Sequence, residues 1–273
     1  MRPDIEEINY LETYYFANII NNILREPYNY LRGLNDFFGD EKYKNFLNSF
    51  PKTSAFHYFI MFIIDSICYE DIEESTNEKF LNGKRKLWVE VALEYHDFKF
   101  DSFDLWLKEN DKNRYSVIDD DIVEYLNHLQ WSGPYEDLLE KMAKEIFFIL
   151  FLNRECLQNF NSMISTHISD VQILDLEESE KVYFKRDGVL KRVNIPKWVK
   201  RAIIHRDRGM CVNCHKDLTG IISIGGIENF DHIIPLAKGG INDVTNIQLL
   251  CQDCNKIKLD KLIKTSNKYE SWY

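Results

Sequence analysis

The chain is short of glycine and proline, with 11 and 6 in 273 residues, and short of uninterrupted apolar sequence. The scarcity of glycine and proline excludes collagen-like and low-complexity character. The longest apolar runs, Tyr58–Ile64 and Ile146–Leu152, fall well below the roughly 20 residues that a bilayer crossing takes. Both read as buried core helices, and no membrane partner is expected. Met1–Asn9 is charged and lacks the apolar stretch of a secretory signal, so a cytoplasmic location is expected. Disulfides are rare in that reducing compartment, which argues against a disulfide scaffold for the six cysteines. Positive charge is also lacking overall: 34 Lys+Arg stand against 44 Asp+Glu, a formal net charge of −10.

That deficit is not spread evenly. Lys181–Tyr273 holds 17 basic and 9 acidic residues, an excess of +8, which leaves 17 basic against 35 acidic, or −18, in residues 1–180. An acidic body carrying a basic tail points to nucleic-acid contact by the tail, although basic residues can equally serve to solvate a small domain. Hydrophobic residues make up 45% and aromatics 14% of the chain, enough for a large globular core, and the length accommodates two domains.

Residues 1–175 read as an all-helical domain. Ile8, Leu11, Tyr15, Ile19 and Ile23 recur at three- and four-residue spacing, one face of a helix. Thr53–Cys68, Lys86–Tyr95 and Tyr135–Phe160 are further helical stretches, and Pro27, Pro51 and Ser132-Gly133-Pro134 punctuate the series. Lone Cys68 and Cys156 sit in apolar surroundings and read as small core residues. After an acidic stretch, Asp175–Glu180, the second domain spans 181–273. It opens with a hairpin pattern around Asp187-Gly188. Asn194 then reads as the cap of a helix over Lys197–Asp207, with Pro196 near its first turn.

The chemistry begins with two C-x-x-C pairs, Cys211/Cys214 and Cys251/Cys254, separated by 36 residues. Two intervening residues let both sulfurs of a tight knuckle face one point, and two knuckles complete a tetrahedron of thiolates. A redox C-x-x-C would stand alone near a βαβ pattern. A haem attachment at Cys211–His215 would leave the second pair unexplained. Structural zinc is the reading that uses all four sulfurs. A four-thiolate shell is coordinatively closed, so this ion is a staple and not the catalyst.

Between the knuckles, Phe230–Ile234 reads as a strand bearing the adjacent pair Asp231-His232, Gly239-Gly240 as a turn, and Asn242–Leu250 as a helix. A carboxylate beside an imidazole can hold a divalent ion next to a general base, the combination that phosphodiester hydrolysis needs. A lone histidine is more often structural. Its place beside Asp231 and between two knuckles favours a working role for His232.

The stretch from about Pro196 to Lys261 resembles the HNH endonuclease family, with its ββα-metal fold and a four-cysteine zinc staple. The resemblance rests on the cysteine pairs, Asp231-His232-Ile233-Ile234-Pro235, Gly239-Gly240, Asn246-Ile247-Gln248-Leu249-Leu250-Cys251 and Cys254-Asn255 followed by Lys258. It covers about a quarter of the chain and says nothing direct about residues 1–180; joined to the helical reading of residues 1–175, it gives a mainly α protein, a helical N-terminal domain followed by a small α+β HNH module. It implies His232 as the general base, Asp231 and Asn255 as ligands of a catalytic Mg2+ or Mn2+, and Asn246 as the brace of the loop that orients His232. Asn255 stands where some relatives carry histidine. A carboxylate with a carbonyl-type ligand is a hard donor set, suited to those ions rather than zinc. The expected substrate is nucleic acid, specifically DNA, met by Lys197, Lys200, Arg201, Lys256, Lys258 and Lys261, with Lys185, Arg186, Lys191, Arg192 and Lys264 as further basic residues of the same half. The alternative is a catalytically idle zinc module that only binds nucleic acid. In either case the acidic helical domain is expected to contact protein, regulate access or self-associate. An effector role in bacterial defence against foreign DNA is the expected setting.

Overall fold

A computed structural model describes residues 7–39, 42–75, 86–219 and 230–269. The chain divides into two compact units, residues 1–18 with 57–147 and residues 19–56 with 148–273. Among the described residues the N-terminal part is helical and the C-terminal part is a small module with two short sheets.

The first unit takes the start of helix α1 (Thr13–Arg25), most of α3 (Ala55–Ser75) and α7 (Pro134–Leu150), and all of α4 (Trp88–Tyr95), α5 (Phe103–Glu109) and α6 (Asp119–Ser132). Phe59, Ile60, Leu93, Phe103, Tyr125 and Leu138 lie in its core. Cys68 is buried too, as expected. The expected first helical face is displaced. Tyr10 and Glu12 have φ of 62° and 50°, a left-handed backbone that no helix continues through. Their segment is anchored by Glu145, whose carboxylate accepts from Asn9 N at 3.0 Å. The helix therefore starts at Thr13, Ile8 and Leu11 precede it, Tyr15 is exposed, and Phe16, Ile20, Ile23 and Leu24 form the buried stripe.

The second unit includes α2 (Leu31–Phe38), α8 (Arg154–Ser169), α9 (Glu178–Lys181), α10 (Lys197–Arg206) and α11 (Gln252–Lys258). The expected helix over Tyr135–Phe160 is two helices, because the Asn153 side chain accepts from Cys156 N and starts α8 afresh. Phe160 of α8 packs on Phe56 with ring centroids 4.7 Å apart, and Cys156 is buried beside it in sequence. The chain's later residues return to α8: Arg154 donates to Lys268 O at 2.7 Å and Gln158 to Ile263 O at 2.8 Å.

Strands β1 (Phe184–Arg186) and β2 (Val189–Leu190) form the expected hairpin. The helix that follows starts at Lys197 with Pro196 in the capping position, not Asn194, and without a side-chain cap. The ring of Pro196 presets the extended-to-helical junction that a capping side chain would otherwise secure. The larger correction is at Asn242–Leu250. Instead of a helix, a 3₁₀ turn, Val244–Asn246, leads into strand β4 (Ile247–Leu249). That strand pairs antiparallel with β3 (Phe230–His232) in the register Phe230↔Leu249, Asp231↔Gln248, His232↔Ile247. Every residue from 239 to 250 is buried, the polar Asn242, Asp243, Thr245, Asn246 and Gln248 included, so polarity in this stretch does not mark a solvent face. Long-range pairing then decides its conformation.

Candidate nuclease site

The two knuckles converge. All four sulfurs of Cys211, Cys214, Cys251 and Cys254 lie within 4.8 Å of one another, and Cys214 and Cys251 sulfurs are 3.7 Å apart. A tetrahedron with Zn–S bonds of about 2.3 Å has edges of about 3.8 Å, so the cluster fits zinc. Burial pushes the Cys254 thiol up to about 12. A cation that favours thiolates is what such a cluster needs. The first knuckle is joined to the sheet by Val212 N donating to Leu249 O at 3.0 Å. Cys251 opens α11, its sulfur accepting from Cys254 N at 3.4 Å. His215 stays exposed, outside the cluster, with φ of 59°.

The sheet is held from behind by a buried pair that no sequence motif singles out. Arg206 binds Asp207 through Nε at 2.8 Å and reaches Ile247 O at 2.7 Å, while Asp207 accepts from Leu249 N at 3.0 Å. This pair fixes β4, and β4 fixes the register of Asp231 and His232 on β3.

Both residues line an open cleft with Lys185, Arg186, Arg192 and Asp260. His232 is 2% exposed. Its Nε2 lies 3.3 Å from Asn242 Oδ1, and its Nδ1 is buried without a hydrogen-bond partner among the described residues. Burial, reinforced by Arg192, lowers its pKa to about 4 against the pull of Asn242 and Asp231. The ring is therefore neutral at pH 7, with a lone pair available to take a proton.

Asn246 is fully buried, and its side chain spans both edges of the 234–241 loop. Its Oδ1 accepts from Ile234 N at 2.8 Å, and its Nδ2 donates to Ile234 O at 3.0 Å and Ile241 O at 2.9 Å. The loop can turn that sharply because Gly240 lacks a side chain: a Cβ there would meet Ile234 O at 2.0 Å. Asn246 thus touches the loop backbone, while the His232 ring is met by Asn242. Asn242 in turn donates to Lys191 O at 2.9 Å. Its neighbour Asp243 accepts from Ala55 N at 3.0 Å. No local motif marks Asn242, since its partner on the hairpin is 51 positions away.

Of the basic residues expected to meet phosphate, Lys197, Arg201, Lys256 and Lys261 are exposed, and Lys200 lies over the Phe230 ring at 5.7 Å. None of these five lines the cleft. Lys258 needs correction. It is 0% exposed, with its ammonium 2.7 Å from Asp231 Oδ2 and donating to His232 O at 2.7 Å. A fully buried ammonium already committed to two acceptors cannot reach a solvent-borne phosphate, so it ties α11 to β3 instead. Asn255, half-buried, precedes it by three residues on the same helix, a spacing that puts both on one helical face.

Residues 211–261 match the family model of the HNH endonuclease. No curated protein and no solved structure matches the chain. The match supports action on nucleic acid in general, and the sulfur cluster falls within the matched residues.

Proposed function

We propose that the protein is a divalent-metal-dependent endonuclease that hydrolyses phosphodiester bonds in DNA. The observation that carries this reading is His232, neutral, with Nδ1 unpartnered among the described residues, lining a cation-lined cleft together with Asp231 within the HNH-matched segment. A catalytically idle binder has no need of a neutral imidazole beside a carboxylate at such a cleft.

Asp231 and Asn255 are the residues that would hold Mg2+ or Mn2+, a hard-ligand pair. Bound there, the ion supplies positive charge against the phosphate in the transition state. His232 Nδ1 takes a proton from water, the water oxygen bonds to phosphorus, and the bond from phosphorus to the 3′ oxygen breaks, that oxygen taking a proton from solvent to leave as a hydroxyl. Lys258 holds Asp231 in place through its contact with Oδ2, and Asn246 keeps the loop closed behind His232. The four cysteines hold zinc as a staple. The test is incubation of the full-length protein with supercoiled plasmid, linear duplex and single-stranded DNA or RNA, with EDTA, Mg2+ or Mn2+. Metal-dependent cutting of DNA is expected. Binding without cutting under every condition would support the idle module instead, and preferential cutting of RNA would replace the substrate.

The acidic residues 1–175 are assigned to protein contact or self-association, since the −18 balance of residues 1–180 repels a nucleic acid. Among the described residues no helix is long and apolar enough to cross a membrane, and the cytoplasm is the proposed location. Pairing a nuclease module with an acidic helical body suits defence against foreign DNA. Phage plating on cells carrying the wild type or His232→Ala would test that role, with protection expected from the wild type alone.

A further inference from the structure

One wall of the cleft comes from outside the residues matched by the HNH model. The β1–β2 hairpin and the residues after it precede position 211, yet their Lys185, Arg186 and Arg192 line the cleft with Asp231 and His232. All three cations are exposed. The backbone that carries them is anchored at several points. Phe184 and Leu190, opposite each other in the register, are buried. At the turn, Gly188 has φ of 62°, and a Cβ there would come 2.4 Å from Ser169 O. Its N–H donates to Val171 O at 2.9 Å, and Asp187 accepts from Ile173 N at 2.9 Å. A hairpin pinned at its turn and along one face offers its charges in fixed positions, so little ordering has to follow when an anion arrives.

The same segment reaches the base. The Asn242 side-chain nitrogen donates to Lys191 O, which leaves its oxygen to face His232 Nε2. That oxygen can only accept, so it selects the ring form with hydrogen on Nε2 and the lone pair on Nδ1.

We infer that the hairpin segment 184–192 is the phosphate-binding wall of this site: Lys185, Arg186 and Arg192 grip the nucleic-acid backbone beside the phosphate presented to His232, and the Lys191 carbonyl, through Asn242 as a positioning residue, sets the ring of the base. The binding half of this inference stands on the charged cleft alone. The positioning half rests on the nuclease reading.

The two halves are read separately in the full-length protein. For binding, a His232→Ala background prevents cleavage, and anisotropy of a labelled duplex is measured from about 50 to 300 mM salt, the range over which phosphate contacts show. Each lost phosphate contact removes about 0.9 from the slope of log affinity against log salt. The triple variant Lys185→Gln/Arg186→Gln/Arg192→Gln should therefore flatten the slope by as much as about 2.7. The triple Lys197→Gln/Lys200→Gln/Arg201→Gln, with the same charge change on α10, should flatten it less. Equal slopes in the two triples, or a parental slope in the hairpin triple, overturn the wall. Melting temperature and zinc content report whether each variant is folded. If the hairpin triple is not, Arg192→Gln alone is used, with a slope change of about 0.9 expected and no change overturning the wall. For positioning, Asn242→Val should lower kcat by about 10–100-fold, the usual cost of losing an orienting contact, with duplex affinity unchanged. Parental kcat in Asn242→Val, or a loss of kcat matched by an equal loss of duplex affinity, overturns the positioning role. If the wild type cuts nothing, the nuclease reading fails and the salt slopes still decide the wall.

Discussion

The sulfur cluster and the cleft lie a few residues apart in one small module, yet they are built in opposite ways. The cluster is self-contained: two knuckles of four residues each bring their own ligands, and the sulfurs converge to within 4.8 Å. The cleft is assembled from distant parts. His232 is backed by Asn242, Asn242 by Lys191 of the hairpin, and Asp243 beside it by Ala55 at the start of α3. A staple needs only enough donors around one point. A catalytic site needs an orientation, and orientation is supplied by neighbours outside the motif.

The largest expected effect should separate the two at once. Structural zinc in small modules is bound with about 10–16 kcal/mol, energy that is also folding energy. Cys254→Ser should therefore lose zinc, unfold the module and abolish binding and cleavage together. Metal analysis and thermal melting check this, and a zinc-free variant with parental melting would remove the staple from the account. His232→Ala should do the reverse, cutting turnover by about 10²–10⁴-fold while zinc content, melting and DNA affinity stay parental. Turnover at the parental rate in a clean preparation would mean that His232 is not the base.

Metal titration sharpens the contrast within the cleft. Asp231→Ala and Asn255→Ala should be inactive at low Mg2+ and partly rescued at high Mg2+, whereas His232→Ala should not respond. Asn246→Ala should retain activity between those extremes, because it leaves the Ile234 N–H and two loop carbonyls unsatisfied, each at about 1–3 kcal/mol, without touching the His232 ring. Rescue of Asp231→Ala, Asn255→Ala and His232→Ala alike would dissolve the division between metal ligands and base.

The smallest effect is in the pH profile. Burial holds the folded His232 pKa down at about 4, below the unfolded value of 6.5, so the folded ring stays neutral as pH falls from 7 towards 4. The sign for stability follows from linkage: the contribution is fully present above 6.5 and is lost as pH falls through the window from 6.5 to 4, because the unfolded chain takes the proton first. Between about pH 8 and 5 the zinc-loaded enzyme should show no acid limb near the ordinary imidazole value of about 6.5. A limb centred there would mean a solvated imidazole and an open, unshielded site.

Several features are legible in the sequence because their causes are local. The cysteine spacing, the Asp187-Gly188 turn and the Lys197 helix depend on neighbours within a few residues. Asn153 carries a capping signal that a continuous helical reading passes over. The helical reading of Asn242–Leu250 fails because Asn242, Asp243, Thr245, Asn246 and Gln248 are buried along with their apolar neighbours, so polarity marks no exposed face, and Ile247–Leu249 pairs with β3.

What the sequence by itself determined is the cysteine cluster, the Asp231-His232 pair, the helical body and the split of charge, since composition and short-range spacing are sufficient causes for each. What only the tertiary structure decided is which groups stand around His232 and Asp231. Lys258 proved to be a buried partner of Asp231 rather than a phosphate contact. Asn242, and not Asn246, meets the His232 ring. The cations at the cleft are those of the hairpin. Each of these turns on the packing of one side chain against a backbone far away in the chain, and no local pattern records which distant carbonyl or carboxylate a buried polar atom will find.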